Sequence, residues 1–224
     1  MQKIIFRLNK LYHFIFNEKI YQKLNFSWNN FPSRSALIQK IIKYKKFSSY
    51  LEIGCASNEN FDKITIKKKI GVDPNSGGTV RITSDDFFLK NKLFFDLIFI
   101  DGLHTYNQVK KDIVNSLNFL NEGGVIFVHD CLPRNIFEQA VPRCQFRWTG
   151  DVWKAFIEIR TLKNLDSCVC YADMGLGIII KRKNSNPLRI DFKDFSKIKF
   201  KDYFYNYKKY MNIISHNKII NFIK

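Results

Sequence analysis

The chain is predicted to fold as an α/β domain, a three-layer sandwich in which helices cover both faces of a mostly parallel sheet of seven strands. Three observations predict it. From Tyr50 onward, short apolar runs alternate with polar, helix-compatible stretches, the pattern of βα units whose strands are buried on both faces. Four of these runs end at or beside an acid: Glu52, Asp73, Asp101 and Asp130. A length of 224 residues with 46% hydrophobic content supplies one proper core without requiring a second domain.

Residues 1–47 are predicted as an N-terminal helical segment, 48–183 as the α/β domain and 184–224 as a basic, aromatic C-terminal extension with no catalytic pattern. In the first segment Ile4, Ile5, Leu8, Leu11, Tyr12 and Ile15 form a helical apolar stripe with Lys3, Arg7 and Lys10 interleaved. Such a helix either packs on the domain or lies on a membrane surface. A second helix begins after Pro32, capped by Ser33 or Ser35, and runs to Lys46 before Ser48 and Ser49 end it. Strands are expected at 50–54, 69–73, 79–82, 95–101 and 124–130, with helices near 58–66, 105–121 and 150–164. Ser167–Tyr171 and Gly175–Ile180, separated by Asp173-Met174, read as a closing pair of strands.

The formal net charge of +17 is carried by the two ends. Residues 1–49 hold ten Lys/Arg against one acid and 181–224 hold twelve against three, so 50–180 nets −1. The ends are either a basic surface for anionic lipid, glycan or nucleic acid, or the product of a chain-wide bias toward Lys, Asn, Ile, Phe and Tyr. No apolar run approaches the roughly 20 residues that cross a bilayer, and Arg7 and Lys10 interrupt any secretion signal. Five cysteines, Cys55, Cys131, Cys144, Cys168 and Cys170, lack paired Cys-x-x-Cys spacing, which argues against a disulfide framework or zinc site and fits a reduced cytoplasm, with peripheral contact at an anionic membrane face as a further expectation.

In an open parallel sheet, ligands sit beyond the carboxyl ends of the strands where the strand order reverses. The acids at Glu52, Asp73, Asp101 and Asp130 are therefore candidate site residues, each with helix capping as its structural alternative. In Glu52-Ile53-Gly54-Cys55-Ala56-Ser57-Asn58, Gly54 permits a tight turn and close approach of a ligand, while Ala56 and Asn58 stand where further glycines would help. The segment resembles motif I of the class I S-adenosylmethionine-dependent methyltransferases, with Glu52 and Gly54 matching. Asp73, about 20 residues on, holds the position of an acid that accepts hydrogen bonds from ribose hydroxyls. A nicotinamide dinucleotide needs a glycine-rich phosphate loop, and the acidic Glu52 would repel its phosphates, whereas S-adenosylmethionine carries a positive sulfonium and an amino group.

Two further segments, Phe99-Ile100-Asp101-Gly102-Leu103-His104-Thr105-Tyr106 and Gly123-Gly124-Val125-Ile126-Phe127-Val128-His129-Asp130, together resemble the small-molecule methyltransferase family that includes macrocin and sugar O-methyltransferases. Gly150-Asp151-Val152-Trp153-Lys154-Ala155-Phe156 is similar to bacterial members linked with surface-polysaccharide synthesis. The resemblance spans residues 48–182 and implies a Rossmann-like fold, S-adenosylmethionine as cofactor and O-methylation of a sugar or other small-molecule hydroxyl. It implies a cofactor side made of Glu52, Gly54 and Asp73, with Asp85 or Asp86 accepting from the adenine amino group or capping a helix. It also implies a divalent cation, magnesium or manganese, on Asp101, His129 and Asp130; the alternative is that His129 and Asp130 order the loop by hydrogen bonding. His104 is the candidate general base, with Asp101 beside it, or else orients the helix that follows. Two other readings stay open: an RNA-directed methyltransferase using the basic ends, disfavoured because Ile100-Asp101-Gly102-Leu103 lacks the Asn/Asp-Pro-Pro-aromatic tetrad, and a non-catalytic binding protein on the same fold.

Overall fold

The computed structural model describes residues 2–224. Seven strands, β1 (Ser49–Ile53), β2 (Lys68–Val72), β3 (Phe95–Ile100), β4 (Leu120–Val128), β5 (Leu165–Tyr171), β6 (Leu176–Lys181) and β7 (Ile213–Ser215), form one sheet in the order β2-β1-β3-β4-β6-β5-β7. All neighbours run parallel except β6, which is antiparallel to both β4 and β5. The helices are α1 (Gln2–Phe16), α2 (Arg34–Lys45), α3 (Ser84–Lys90), α4 (Tyr106–Asn118), α5 (Val152–Thr161), α6 (Phe200–Met211) and α7 (Ile219–Ile223).

Strand side chains alternate between two buried layers, as a period of two requires. Leu51, Ile53, Ile98, Ile100, Ile126 and Val128 face α4, α5 and α6, while Tyr50, Leu97, Phe99, Val125 and Phe127 face α2 and α7. Ser33 caps α2, its Oγ accepting from the Ala36 N–H at 3.3 Å. That satisfies one of the donors a helix start leaves free.

The sheet reaches seven strands by a different route from the sequence expectation. The run at 79–82 contributes one parallel bridge, Val80 to Val72, and no strand. Gly77 and Gly78, both at positive φ, fold the chain back so that the N–H groups of Thr79 and Val80 both go to the Gly71 carbonyl. The seventh strand is β7, from the C-terminal extension, paired parallel to β5. Phe200, Tyr203 and Met211 of α6 and Ile219 and Ile223 of α7 are fully buried, so the extension completes both helical layers. The helix expected near 58–66 is a single 3-10 turn, Phe61–Lys63. Asn58 is left-handed (φ 62°) and Ile64 is already extended, which leaves no room for a longer helix between β1 and β2.

Candidate active site

Sheet register sets the site. Ile53 pairs with Val72 and with Ile100, and Ile100 pairs with Val128, so Gly54, Asp73, Asp101 and His129 all leave the sheet at one level. Strand order reverses at β1, with β2 on one side and β3 on the other. Beyond these ends lies a cavity of ≈ 810 Å³, lined among others by Glu52, Gly54, Asp73, Asp85, Asp101 and His104. Its size suits a cofactor together with a small second molecule.

The loop after β1 forms one wall of the cavity. Gly54 has φ 85°, and a Cβ there would overlap the backbone of Asp101 and Gly102, so only glycine lets the β1 and β3 ends close on each other. Ala56 (φ 45°) and Asn58 (φ 62°) also take left-handed conformations, the geometry that glycines would serve. Asn58 is held there by its Oδ1, which accepts from the Gly78 N–H at 2.6 Å. Glu52 is buried at 1% exposure; its Oε2 accepts from the Tyr50 hydroxyl at 2.5 Å and from Asn60 Nδ2 at 2.8 Å. Burial raises the Glu52 carboxyl to about 7 against the opposing effect of those two hydrogen bonds, and the Asp101 charge adds to the rise.

Asp73 does something the sequence did not indicate. Its Oδ2 accepts from the N–H groups of Cys55 (3.1 Å) and Ala56 (2.9 Å), and its Oδ1 from those of Asn75 (2.8 Å) and Ser76 (2.9 Å). A carboxylate has about four acceptor positions, so all are occupied. Asp73 thus ties the two loops together at the edge of the cavity. These bonds hold its pKa below the usual carboxylate value in spite of burial. Asp85 and Asp86 separate in the same way. Asp85 borders the cavity, bound to Gln108 (3.2 Å) and Lys111 (2.5 Å), whereas Asp86 closes a reciprocal cap with Thr83 and lies outside the lining. For Asp86 the capping alternative is the one the structure supplies.

On the opposite side, Asp101, His104 and Asp130 converge. His104 Nε2 lies 3.3 Å from Asp101 Oδ1, and His104 Nδ1 lies 3.0 Å from Asp130 Oδ2. One ligand atom from each of the three falls within 4.8 Å of the others. Despite this proximity His104 Nδ1 and both Asp130 oxygens are buried without a hydrogen-bond partner, close in distance but out of line. Gathered round a common point, these carboxylate oxygens and the His104 imidazole, once deprotonated, are donors that a divalent cation fits, and carboxylate oxygens with one imidazole suit magnesium or manganese. Asp130 is held at φ 63°, an uncommon conformation for a non-glycine residue of the kind that clusters at functional sites.

His129 is occupied differently from the sequence expectation. Its Nδ1 donates to Asp101 Oδ1 at 3.2 Å and sits 3.4 Å from Asp130 Oδ1, and its Nε2 is 3.5 Å from Asp173 Oδ1. Nδ1 is hydrogen-bonded; Nε2, like His104 Nδ1, is buried without an aligned partner, and His104 is the imidazole whose ligand atom gathers with those of Asp101 and Asp130. Burial favours neutral imidazole, but the surrounding carboxylates prevail: Asp101 and Asp130 raise His129 well above its ordinary value, and Asp130 and Asp101 raise His104 to about 10. The value near 6 to 7 expected of a free imidazole base is therefore not that of His104 in this setting.

Sequence reasoning missed Asp173, Arg34 and Trp148. Asp173 lies in the β5–β6 turn (φ 40°), where it accepts the Arg34 N–H at 2.9 Å and faces Nη1 at 3.5 Å. Arg34 Nε approaches Asp101 at 3.9 Å. Trp148 stacks on His104, centroids 5.1 Å apart and rings inclined by 13°. The Gly150-Asp151 motif now has a physical account. Gly150 (φ 59°) packs so closely on the His104 carbonyl that a Cβ would overlap it, and Asp151 Oδ1 accepts the Tyr106 N–H at 2.6 Å, capping α4.

Residues 49–131 match the family model of a methyltransferase domain. No curated protein matches the chain. Among solved structures, the fold is similar to that of a protein assigned as an O-methyltransferase from Klebsiella pneumoniae (TM-score 0.51, 13% identity, covering 71% of this chain and 84% of that one). It is also similar to the cofactor-bound protein Rv0187 from MTB (TM-score 0.52, 14% identity, 70% and 84%) and to a protein assigned as a caffeoyl-CoA O-methyltransferase from Staphylococcus aureus (0.50, 17%, 79% and 91%). The family match spans β1 to β4 with the acids at their carboxyl ends, and the solved structures share the Rossmann-like fold of this sheet.

Proposed function

We propose that the protein transfers the methyl group of S-adenosylmethionine to a hydroxyl of a small molecule, with a sugar as the acceptor class. The convergence of Asp101, His104 and Asp130 on the rim of the cavity behind Gly54 carries this reading. The ionised Asp101, joined by Glu52 as it ionises above about pH 7, favours the cationic sulfonium and amino group of the cofactor. In the reaction the acceptor oxygen attacks the methyl carbon in line, the O–C bond forming as the S–C bond breaks, and the hydroxyl proton must leave. Asp101, His104 and Asp130 would hold a magnesium or manganese ion, which, when bound, lowers the pKa of a coordinated hydroxyl. Asp173 and Asp101 orient His129 and Arg34, and the charges and hydrogen bonds of His129 and His104 keep Asp101 ionised against burial. Trp148 and Asp151 fix the ring and backbone of His104.

Resemblance of the Asp101–His104 and His129–Asp130 segments to sugar O-methyltransferases supports the sugar acceptor, and Arg143, Phe146 and Trp148 of loop 141–148 line the cavity where it would lie. The test is methyl transfer from labelled cofactor to a panel of nucleotide sugars and envelope-glycan fragments. Chelation should abolish turnover, magnesium or manganese should restore it, and Asp130→Asn should lower the rate at least about 100-fold with cofactor affinity retained. A chelator-resistant enzyme with an active Asp130→Asn variant would refute the cation assignment. Transfer only to non-sugar hydroxyls would refute the acceptor class.

A further inference from the structure

The N-terminal helix has one face that touches the protein and one that touches nothing. Phe6, Asn9 and His13 dock it: Asn9 Nδ2 donates to the Arg143 carbonyl at 2.8 Å, His13 Nε2 to the Pro142 carbonyl at 2.7 Å, and Phe6 meets the Phe146 ring edge-on at 5.3 Å. On the opposite face Ile4, Leu8, Leu11 and Ile15, spaced i, i+4, i+7, i+11, are 62%, 62%, 56% and 53% exposed. Ile5, Tyr12 and Phe16 widen the stripe along one flank, and Lys3 and Arg7 run along the other, with Lys10 beside them lying over the Phe137 ring at 5.3 Å. A continuous apolar stripe of this size is unusual on a free surface and marks an interaction site.

Charge selects the occupant. Residues 2–23 carry five basic side chains, Lys3, Arg7, Lys10, Lys19 and Lys23, and one acid, Glu18. Glu18 is turned inward, its two oxygens accepting the N–H groups of Phe200 (2.6 Å) and Lys201 (2.9 Å) at the start of α6. The outer face therefore presents apolar side chains edged by uncompensated positive charge. A second copy would bring like charges together along the seam, whereas an anionic bilayer offers acyl chains to the stripe and phosphates to its basic edge. No helix among the described residues is long and apolar enough to cross a membrane.

We propose that α1 is an interfacial helix that seats the protein on an anionic lipid bilayer, in the plane of the headgroups. The inner face of the same helix grips loop 141–148, whose Arg143, Phe146 and Trp148 line the cavity, so the membrane contact stands directly behind one wall of the site.

The test is co-sedimentation of the full chain with vesicles of phosphatidylcholine and phosphatidylglycerol at roughly 7:3, and with phosphatidylcholine alone. Binding to the anionic vesicles is expected to exceed that to neutral ones at least about tenfold and to weaken with salt. Leu8→Glu/Leu11→Glu is expected to reduce it at least about tenfold, and Ile4→Ser/Ile15→Ser to do the same without adding charge. All four positions are exposed, so the far-ultraviolet spectrum and cofactor affinity of both variants should match the wild type. Failure of the wild type to bind anionic vesicles, or equal binding by both variants, would overturn the proposal. So would a wild-type dimer in sedimentation velocity that either variant dissociates, because the stripe would then belong to a second copy.

Discussion

Replacing Asp73 with asparagine separates loop anchoring from ribose binding. The carboxylate accepts four backbone N–H groups, and asparagine would keep an oxygen for two of them while turning an amide NH2 group toward the other two. A hydrogen bond to a charged group contributes about 1.5–3 kcal/mol, and loop relaxation recovers part of the loss of two, so Asp73→Asn should destabilise the cofactor-free protein by roughly 2–4 kcal/mol. At this chain length each kcal/mol corresponds to roughly 2–4 °C, which gives a fall in melting temperature of roughly 4–16 °C. Thermal unfolding without cofactor, followed by circular dichroism, reads this directly, and calorimetric titration of S-adenosylmethionine on the same samples reads the cofactor side. The folded-state pKa of Asp73 is lowered, so its contribution is fully present above the ordinary carboxylate range near 4 and is lost as pH falls through the folded value. The gap between wild type and variant should therefore close in acid. A variant that melts with the wild type yet binds cofactor more than tenfold more weakly would refute loop anchoring and return the carboxylate to the ribose.

Ala56→Gly should raise stability by about 1 kcal/mol, seen as a higher melting temperature, because Ala56 sits at φ 45° where an L side chain is strained. Gly150→Ala should do the reverse, destabilising by more than about 2 kcal/mol and lowering methyl transfer, since its Cβ would enter the space of the His104 carbonyl at a left-handed φ. The buried carboxyls of Glu52, raised to about 7, and Asp112, raised to about 6, both favour folding fully below their ordinary values near 4 and lose that contribution as pH rises through 6 and 7. Melting temperature should thus fall between about pH 5 and pH 8, and Glu52→Gln should flatten that decline and melt above the wild type at pH 8; an unchanged slope would show that Glu52 does not titrate in this window.

What the sequence by itself determined is local. The short continuous apolar runs located β1 to β6, since a strand buried on both faces must be apolar throughout, and the acids that end those runs lay at the carboxyl edge because register propagates from strand to strand. Gly54 was legible for the same reason: a tight turn after a strand needs it. The positive φ at Ala56 and Asn58 matched the expectation of a glycine-like loop, although residue type alone gave no measure of it. Tertiary structure decided everything that depends on two distant segments meeting. Asp73 is a free acceptor or a loop anchor according to where the N–H groups of Cys55 and Ala56 point, about 17 residues away. His104 and His129 differ only in what surrounds them, and Asp173 and Arg34, which help to settle that difference, sit in a hairpin turn and a helix start that carry no motif. The C-terminal extension read as a basic tail because its charge is visible in composition, while its strand gains its reason to exist from the free edge of β5. Pairing energy at a sheet edge and burial against a core reside in the partner as much as in the segment, so no local pattern can encode them fully.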